Sequence, residues 1–100
     1  MKIILDTQDI TNAVCVSTAF NLGTNPEMID AEVGYHDNRG FWAEGQLGFR
    51  RVTFNEADLR DAIAFMLREW HSFIPEQLLI SMTYHPEVNE FEAEILVDSE

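Results

Sequence analysis

A single cysteine, Cys15, leaves the sequence without an intramolecular disulfide, so burial and hydrogen bonding must hold any fold it adopts. Basic residues are scarce: six Lys and Arg stand against 18 Asp and Glu, a formal net charge of −12. Nucleic-acid binders draw much of their affinity from Lys and Arg that displace condensed counterions. The adjacent basic pair Arg50-Arg51 is too little for a binding stripe. The charge balance therefore speaks against nucleic acid and anionic membranes as partners and for cationic ones: metal ions, amines or a basic protein. Long apolar runs are also missing. Nothing approaches the ~18 residues of a membrane span, and Asp6 interrupts the apolar Ile3-Ile4-Leu5 at once, which predicts neither a signal peptide nor an anchor. The expected location is cytoplasmic. No Gly-rich phosphate loop and no nucleophile elbow is present. Ser17, Ser72, Ser81 and Ser99 have no identifiable His-Asp partners, so no catalytic constellation is complete and a non-enzymatic role is favoured.

What remains is an ordinary globular composition, 46% apolar and 24% charged over 100 residues, which predicts a single domain spanning 1–100. Within it one pattern occurs twice. Lys2 to Leu5 reads as a short strand, and Asp6 as a helix N-cap with Asp9 in the first turn and Leu5 and Ile10 placed as a hydrophobic staple. A helix is predicted from about Thr7 to Leu22, closed by Gly23. At an offset of 49 residues, Arg51 to Phe54, the cap Asn55 with Asp58, and a helix from about Glu56 to His71 repeat the arrangement. The same offset aligns Ala13 with Ala62, Val14 with Ile63, Pro26-Glu27 with Pro75-Glu76 and Tyr35-His36 with Tyr84-His85. With one inserted residue, Phe41, Ala43 and Glu44 align with Phe91, Ala93 and Glu94. Internal repeats of about 2–49 and 51–98 are the expectation.

A hairpin follows each helix. Ile29, Ala31, Val33 and Tyr35 alternate with polar residues, the period of a half-buried strand. Asp37 to Gly40 forms the turn, and Phe41 to about Phe49 returns, with Gly45 and Gly48 suggesting a bulge or bend. In the second copy Leu78, Ile80, Met82 and Tyr84 share a face, Pro86 to Asn89 turns, and Phe91, Ala93, Ile95 and Val97 return. The apolar strand faces need cover, and the two helices supply it. Helix two offers the stripe Leu59, Ala62, Ile63, Met66 and Trp70. The predicted fold is α+β and two-layered: a duplicated β-α-β-β unit forming an antiparallel-rich sheet with both helices on one face. A ferredoxin-like core with an additional strand is the alternative.

The helix segment Ile10-Thr11-Asn12-Ala13-Val14-Cys15, together with the hairpin Asp30-Ala31-Glu32-Val33-Gly34-Tyr35 through Gly40-Phe41-Trp42-Ala43-Glu44, resembles the YxcD-like small proteins of Bacillus and relatives. The resemblance covers nearly the whole chain. It implies a small cytoplasmic protein of unknown function, and brings no catalytic or binding residues with it.

Three features carry chemistry or contact. Cys15, among Ala13, Val14 and Val16, reads as a small core residue, far from the electropositive setting a reactive thiolate needs. Opposite the apolar strand faces, Asp30, Glu32, His36, Trp42, Glu44 and Gln46 point outward, joined by Ser81, Thr83, His85, Glu92 and Glu94. Leu79 and Trp42 add apolar area to that face. Its histidines and carboxylates, His36, His85, Asp37, Glu44 and Glu94, form a candidate divalent-metal set, imidazole and carboxylate being ligands such ions accept, although the spacing matches no recognised zinc motif. No cofactor is otherwise implied, and His71 at the end of helix two reads as a capping residue. Finally, the outer face of helix one (Thr11, Asn12, Thr18, Asn21) carries no charge. Interface cores are depleted of charge, so helix one is predicted to pack on a second copy of the chain. The expected partners are thus the chain itself or a basic protein.

Overall fold

The computed structural model describes residues 1–72 and 77–97, the side chain of His71 excepted. In order along the chain are β1 (Lys2–Leu5), α1 (Thr7–Leu22), a 3-10 turn at Pro26–Met28, β2 (Asp30–His36), β3 (Gly40–Leu47), β4 (Arg50–Phe54), α2 (Glu56–His71), β5 (Leu78–His85) and β6 (Glu90–Val97). Both helices start as the sequence predicts. Asp6 accepts the Asp9 N–H at 2.9 Å while its own N–H donates to the Asp9 carboxylate at 3.1 Å. Asn55 and Asp58 form the same reciprocal box at 2.8 and 3.1 Å. Each box satisfies two N–H groups that the first helical turn leaves unpaired. Helix α1 ends on Gly23 in the left-handed region, at φ 71°. Helix α2 ends on Ser72, whose N–H donates to the Arg68 carbonyl at 3.1 Å. A capping role for the His71 side chain, and the match of Pro75-Glu76 to Pro26-Glu27, lie outside the described residues.

The strands form two three-stranded antiparallel sheets, ordered β1-β6-β5 and β2-β3-β4. The first strand of each half of the chain therefore sits beside the last strand of the other half: β1 lies on β6, and β4 on β3. The registers correspond closely. Leu5 is opposite Ala93 as Phe54 is opposite Ala43, and Tyr84 is opposite Phe91 as Tyr35 is opposite Phe41. Gly45 holds a regular place opposite Ala31 and Val52, so the bulge expected there is absent. The chain leaves β3 at Leu47, before Phe49, because Gly48 turns it at φ 60°.

Inward side chains of both sheets meet both helices in one core: Phe41 and Ala43 from β3, Phe91, Ala93 and Ile95 from β6, Ile10 and Val14 from α1, Leu59 and Ile63 from α2. The molecule measures 43 × 33 × 19 Å, its short dimension fitting about two layers spaced ~10 Å apart. Two expectations about helix faces need correction. Trp70, placed on the buried stripe of α2, is 54% exposed. Thr18, placed on the outer face of α1, is fully buried. It lies on Gly45, where a Cβ would come within 2.7 Å of Thr18 Cβ and 2.8 Å of its Cγ2. The missing side chain lets α1 settle directly on β3. The Thr18 hydroxyl has no hydrogen-bond partner. Of the four residues expected on the outer face of α1, Thr18 is buried, Thr11 and Asn12 are half-buried and Asn21 is exposed.

Candidate interaction face

The outward residues of β2, β3 and β4 make one continuous surface. Asp30 and Glu32 on β2 face Gln46 and Glu44 on β3, and Glu44 and Gln46 face Thr53 and Arg51 on β4. Glu32 and Glu44 are directly opposite, an arrangement that costs free energy unless a cation intervenes. Arg51 supplies it, its Nε standing 3.3 Å from the Glu44 carboxylate. On the same surface Trp42 lies across from Gly34. A Cβ on Gly34 would fall 2.6 Å from the indole Nε1, so the ring rests flat on bare backbone. The indole is 37% exposed. Beside it a concavity of about 390 Å³ is lined by His36, Arg39, Trp42, Thr53 and Asn55.

The outer face of the other sheet differs in character. Leu79 is opposite Leu96, Leu96 is opposite Lys2, and Ile4 lies two pairs further along β1, opposite Glu94. Ile4, Leu79 and Leu96 are 52%, 62% and 43% exposed. Carboxylates border this apolar row: Glu94 is 4.0 Å from Lys2 Nζ, and Glu92 is 3.6 Å from His85 Nε2.

The candidate metal residues are divided between the two sheets. His36 ends β2, and its Nδ1 accepts the Asn38 N–H at 3.2 Å within the turn that holds Asp37. His85 ends β5 and stands between Glu92 and Glu87, the latter 3.9 Å from Nδ1. Glu44 is engaged by Arg51 and Glu94 by Lys2. Among the described residues, no group of three or more His, Cys, Asp or Glu is arranged to hold a metal ion. What the repeated Tyr-His pair does bring together is its tyrosines. Tyr35 and Tyr84 stack with ring centroids 5.1 Å apart at 20°, joining the two sheets. Phe41 and Phe91 complete an aromatic cluster with them, and Tyr84 donates its hydroxyl proton to Asn89 at 2.9 Å.

A pair of grooves was not foreseen from the sequence. One, of about 500 Å³, runs between β1 and the helices and is lined by Ile3, Leu5, Asp9, Asn12, Met66 and Trp70. The other, of about 360 Å³, is lined by Val52, Phe54, Asp58, Asp61, Ser17 and Asn21. An offset of 49 maps these six residues of each lining onto those of the other. The first groove is the more apolar, because Met66 and Trp70 stand where the second has Ser17 and Asn21. The 49-residue spacing was visible in the sequence; the pairing of one half's first strand with the other half's helix was not.

With this geometry in hand, comparison with known proteins decides the family. The model of the family described as "Protein of unknown function (DUF2653)" matches residues 1–85. The chain belongs to the DUF2653 family. A relative of this DUF2653 protein is "Uncharacterized protein YxcD" of Bacillus subtilis (strain 168), 27% identical over 85 residues, covering 84% of this chain and 83% of the relative. No solved structure matches. No helix among the described residues is long and apolar enough to cross a membrane.

Cys15, expected in the core, is only half-buried and lies outside the buried cluster. Its Sγ lies 3.8 Å from the Ile29 carbonyl. Burial raises the thiol pKa above its ordinary value, and the Asp30 carboxylate raises it further. Because thiolate is the reactive form, alkylation of the folded DUF2653 protein at neutral pH is expected to be slower than that of free cysteine. It should reach the free rate in denaturing urea. Timed iodoacetamide labelling read by mass spectrometry checks this, and equal folded and unfolded rates would refute it.

Proposed function

We propose that this DUF2653 protein is a non-enzymatic interaction module of the cytoplasm, built from two copies of one β-α-β-β unit, that presents an acidic and aromatic sheet face to a basic protein. The observation that carries the reading is Trp42 lying open on Gly34 with Asp30, Glu32 and Glu44 on the same outer face. An indole face attracts Arg and Lys through its quadrupole, by about 0.5–1 kcal/mol at exposed sites. Neighbouring carboxylates add charge-assisted hydrogen bonds. Of the three, Glu44 already has Arg51 beside it, which leaves Asp30 and Glu32 as the groups that meet a partner's cations. A net charge of −12 steers such partners in and makes association sensitive to salt. The corresponding registers of the two hairpins support the duplication. It is the Trp42 half that has gained the cation-binding face, since Glu92 holds the matching place in the other half.

Tryptophan fluorescence tests the proposal directly. In a Trp70→Phe background Trp42 is the sole reporter, and titration with an arginine- and lysine-rich unstructured peptide is expected to change its emission saturably. Affinity should fall as salt rises, and Glu32→Gln should weaken it by roughly 2–5-fold, the loss of one exposed ion pair. An emission unmoved by the peptide at low salt, with the fold intact by circular dichroism, would overturn the reading.

A further inference from the structure

We propose that the free edge of β1 pairs with β1 of a second copy, joining two β1-β6-β5 sheets antiparallel across a two-fold axis. This interface lies on the opposite sheet from Trp42 and is independent of the basic-partner reading.

Antiparallel pairing alternates, so successive residues of β1 direct their N–H and C=O to opposite sides. Val97 N–H donates to the Met1 carbonyl at 2.8 Å, which fixes the phase: Met1, Ile3 and Leu5 bond to β6. Lys2 and Ile4 therefore direct their N–H and C=O groups away from β6. Among the described residues β6 is the strand β1 pairs with. At Asp6 the open edge stops, because its N–H donates to the Asp9 carboxylate and its C=O accepts from the Ile10 N–H.

Edge strands commonly carry charge that discourages pairing, and the two comparable edges of this molecule differ in that respect. The open edge strand β4 carries the adjacent cations Arg50 and Arg51. The open side of β1 presents Lys2 and the exposed Ile4, and the next residue on the same side is Asp6. Read along the strand, the edge runs cation, apolar, anion. Two such edges in antiparallel register, with Lys2 opposite Ile4 of the second copy and Ile3 opposite Ile3, bond all the open N–H and C=O groups. The same register places each Lys2 diagonal to both the Asp6 and the Lys2 of the second copy and covers Ile4. This self-complementarity is what an isologous interface requires, and it is why the occupant is a second copy and not an unrelated strand.

Sedimentation velocity over a concentration series, combined with amide hydrogen exchange, tests it. The expected result is a monomer–dimer equilibrium in which the Lys2 and Ile4 amides become protected as the dimer forms. Ile4→Lys, placed on an exposed side chain, should weaken the dimer by about tenfold or more, equivalent to ~1.4 kcal/mol. Phe20→Lys, on the exposed part of α1, should leave it intact. A protein that stays monomeric into the high micromolar range would overturn the proposal. So would a dimer whose Lys2 and Ile4 amides exchange freely, or one broken by Phe20→Lys and not by Ile4→Lys. The exchange measurement uses the unmodified protein and decides even where a variant folds poorly. Ile4→Lys should leave the Trp42 titration unchanged, so either proposal can fail without the other.

Discussion

Gly45→Ala is expected to destabilise the protein by about 3 kcal/mol, the upper part of the usual range for overpacking a filled core. In thermal unfolding this is a fall of roughly 15 °C for a domain of this size. The new methyl group would point at Thr18, well inside contact distance of its Cβ, Cγ2 and hydroxyl. Both partners belong to regular elements, a strand paired on both sides and the middle of a helix, so neither can step aside alone. Thr18→Ala should have a small effect by itself, because the lost packing is offset by removing a buried hydroxyl that has no partner. Combined with Gly45→Ala it should recover part of the loss. Non-additivity in that double-mutant cycle is the decisive readout. Additive effects would mean that the helix does not rest on the strand at this point.

Ile63→Ala should cost about 3–4 kcal/mol, whereas Trp70→Ala should cost under about 1 kcal/mol. Urea unfolding followed by far-ultraviolet circular dichroism measures both. Ile63 is fully buried, whereas Trp70 sits at a groove rim more than half exposed. Truncating the first opens a cavity in the core; truncating the second trims a surface. Equal losses would place Trp70 in the core after all.

The contrast shows where the sequence was informative. Periodicity put Trp70 on the same stripe as Leu59, Ala62, Ile63 and Met66, and four of the five are buried. Helical spacing assigns a face, but not how far the neighbouring layer extends along it. The caps were legible to the residue, because Asp6 with Asp9 and Asn55 with Asp58 act through local hydrogen bonds that spacing alone determines. The strand faces were legible for the same reason, alternation being local. Thr18 was misplaced because its burial depends on Gly45, distant in sequence and met only through tertiary packing. The outward residues of the candidate site were read correctly from alternation, including Trp42, Glu32 and Glu44. Their grouping was not, since it depends on strand order. The Tyr-His repeat suggested related positions for His36 and His85, which end β2 and β5, but gave no sign that the preceding tyrosines stack on each other.

The pairing of β1 with β6 bears on how the chain comes to be folded during synthesis. Leu5 is opposite Ala93 and Lys2 opposite Leu96, so the first of the described strands to leave the ribosome waits for the last of them. The β2-β3-β4 sheet, whose neighbours are adjacent in sequence, is able to close while translation continues. The other sheet is not: its nascent β1 has no place until β6 has cleared the exit tunnel. Over that interval Ile3, Ile4 and Leu5 form an apolar segment that lacks its partner strand. A stalled or shortened translation product would keep it unpaired, and would be marked for capture by chaperones or proteases through a segment that the finished protein holds in its sheet.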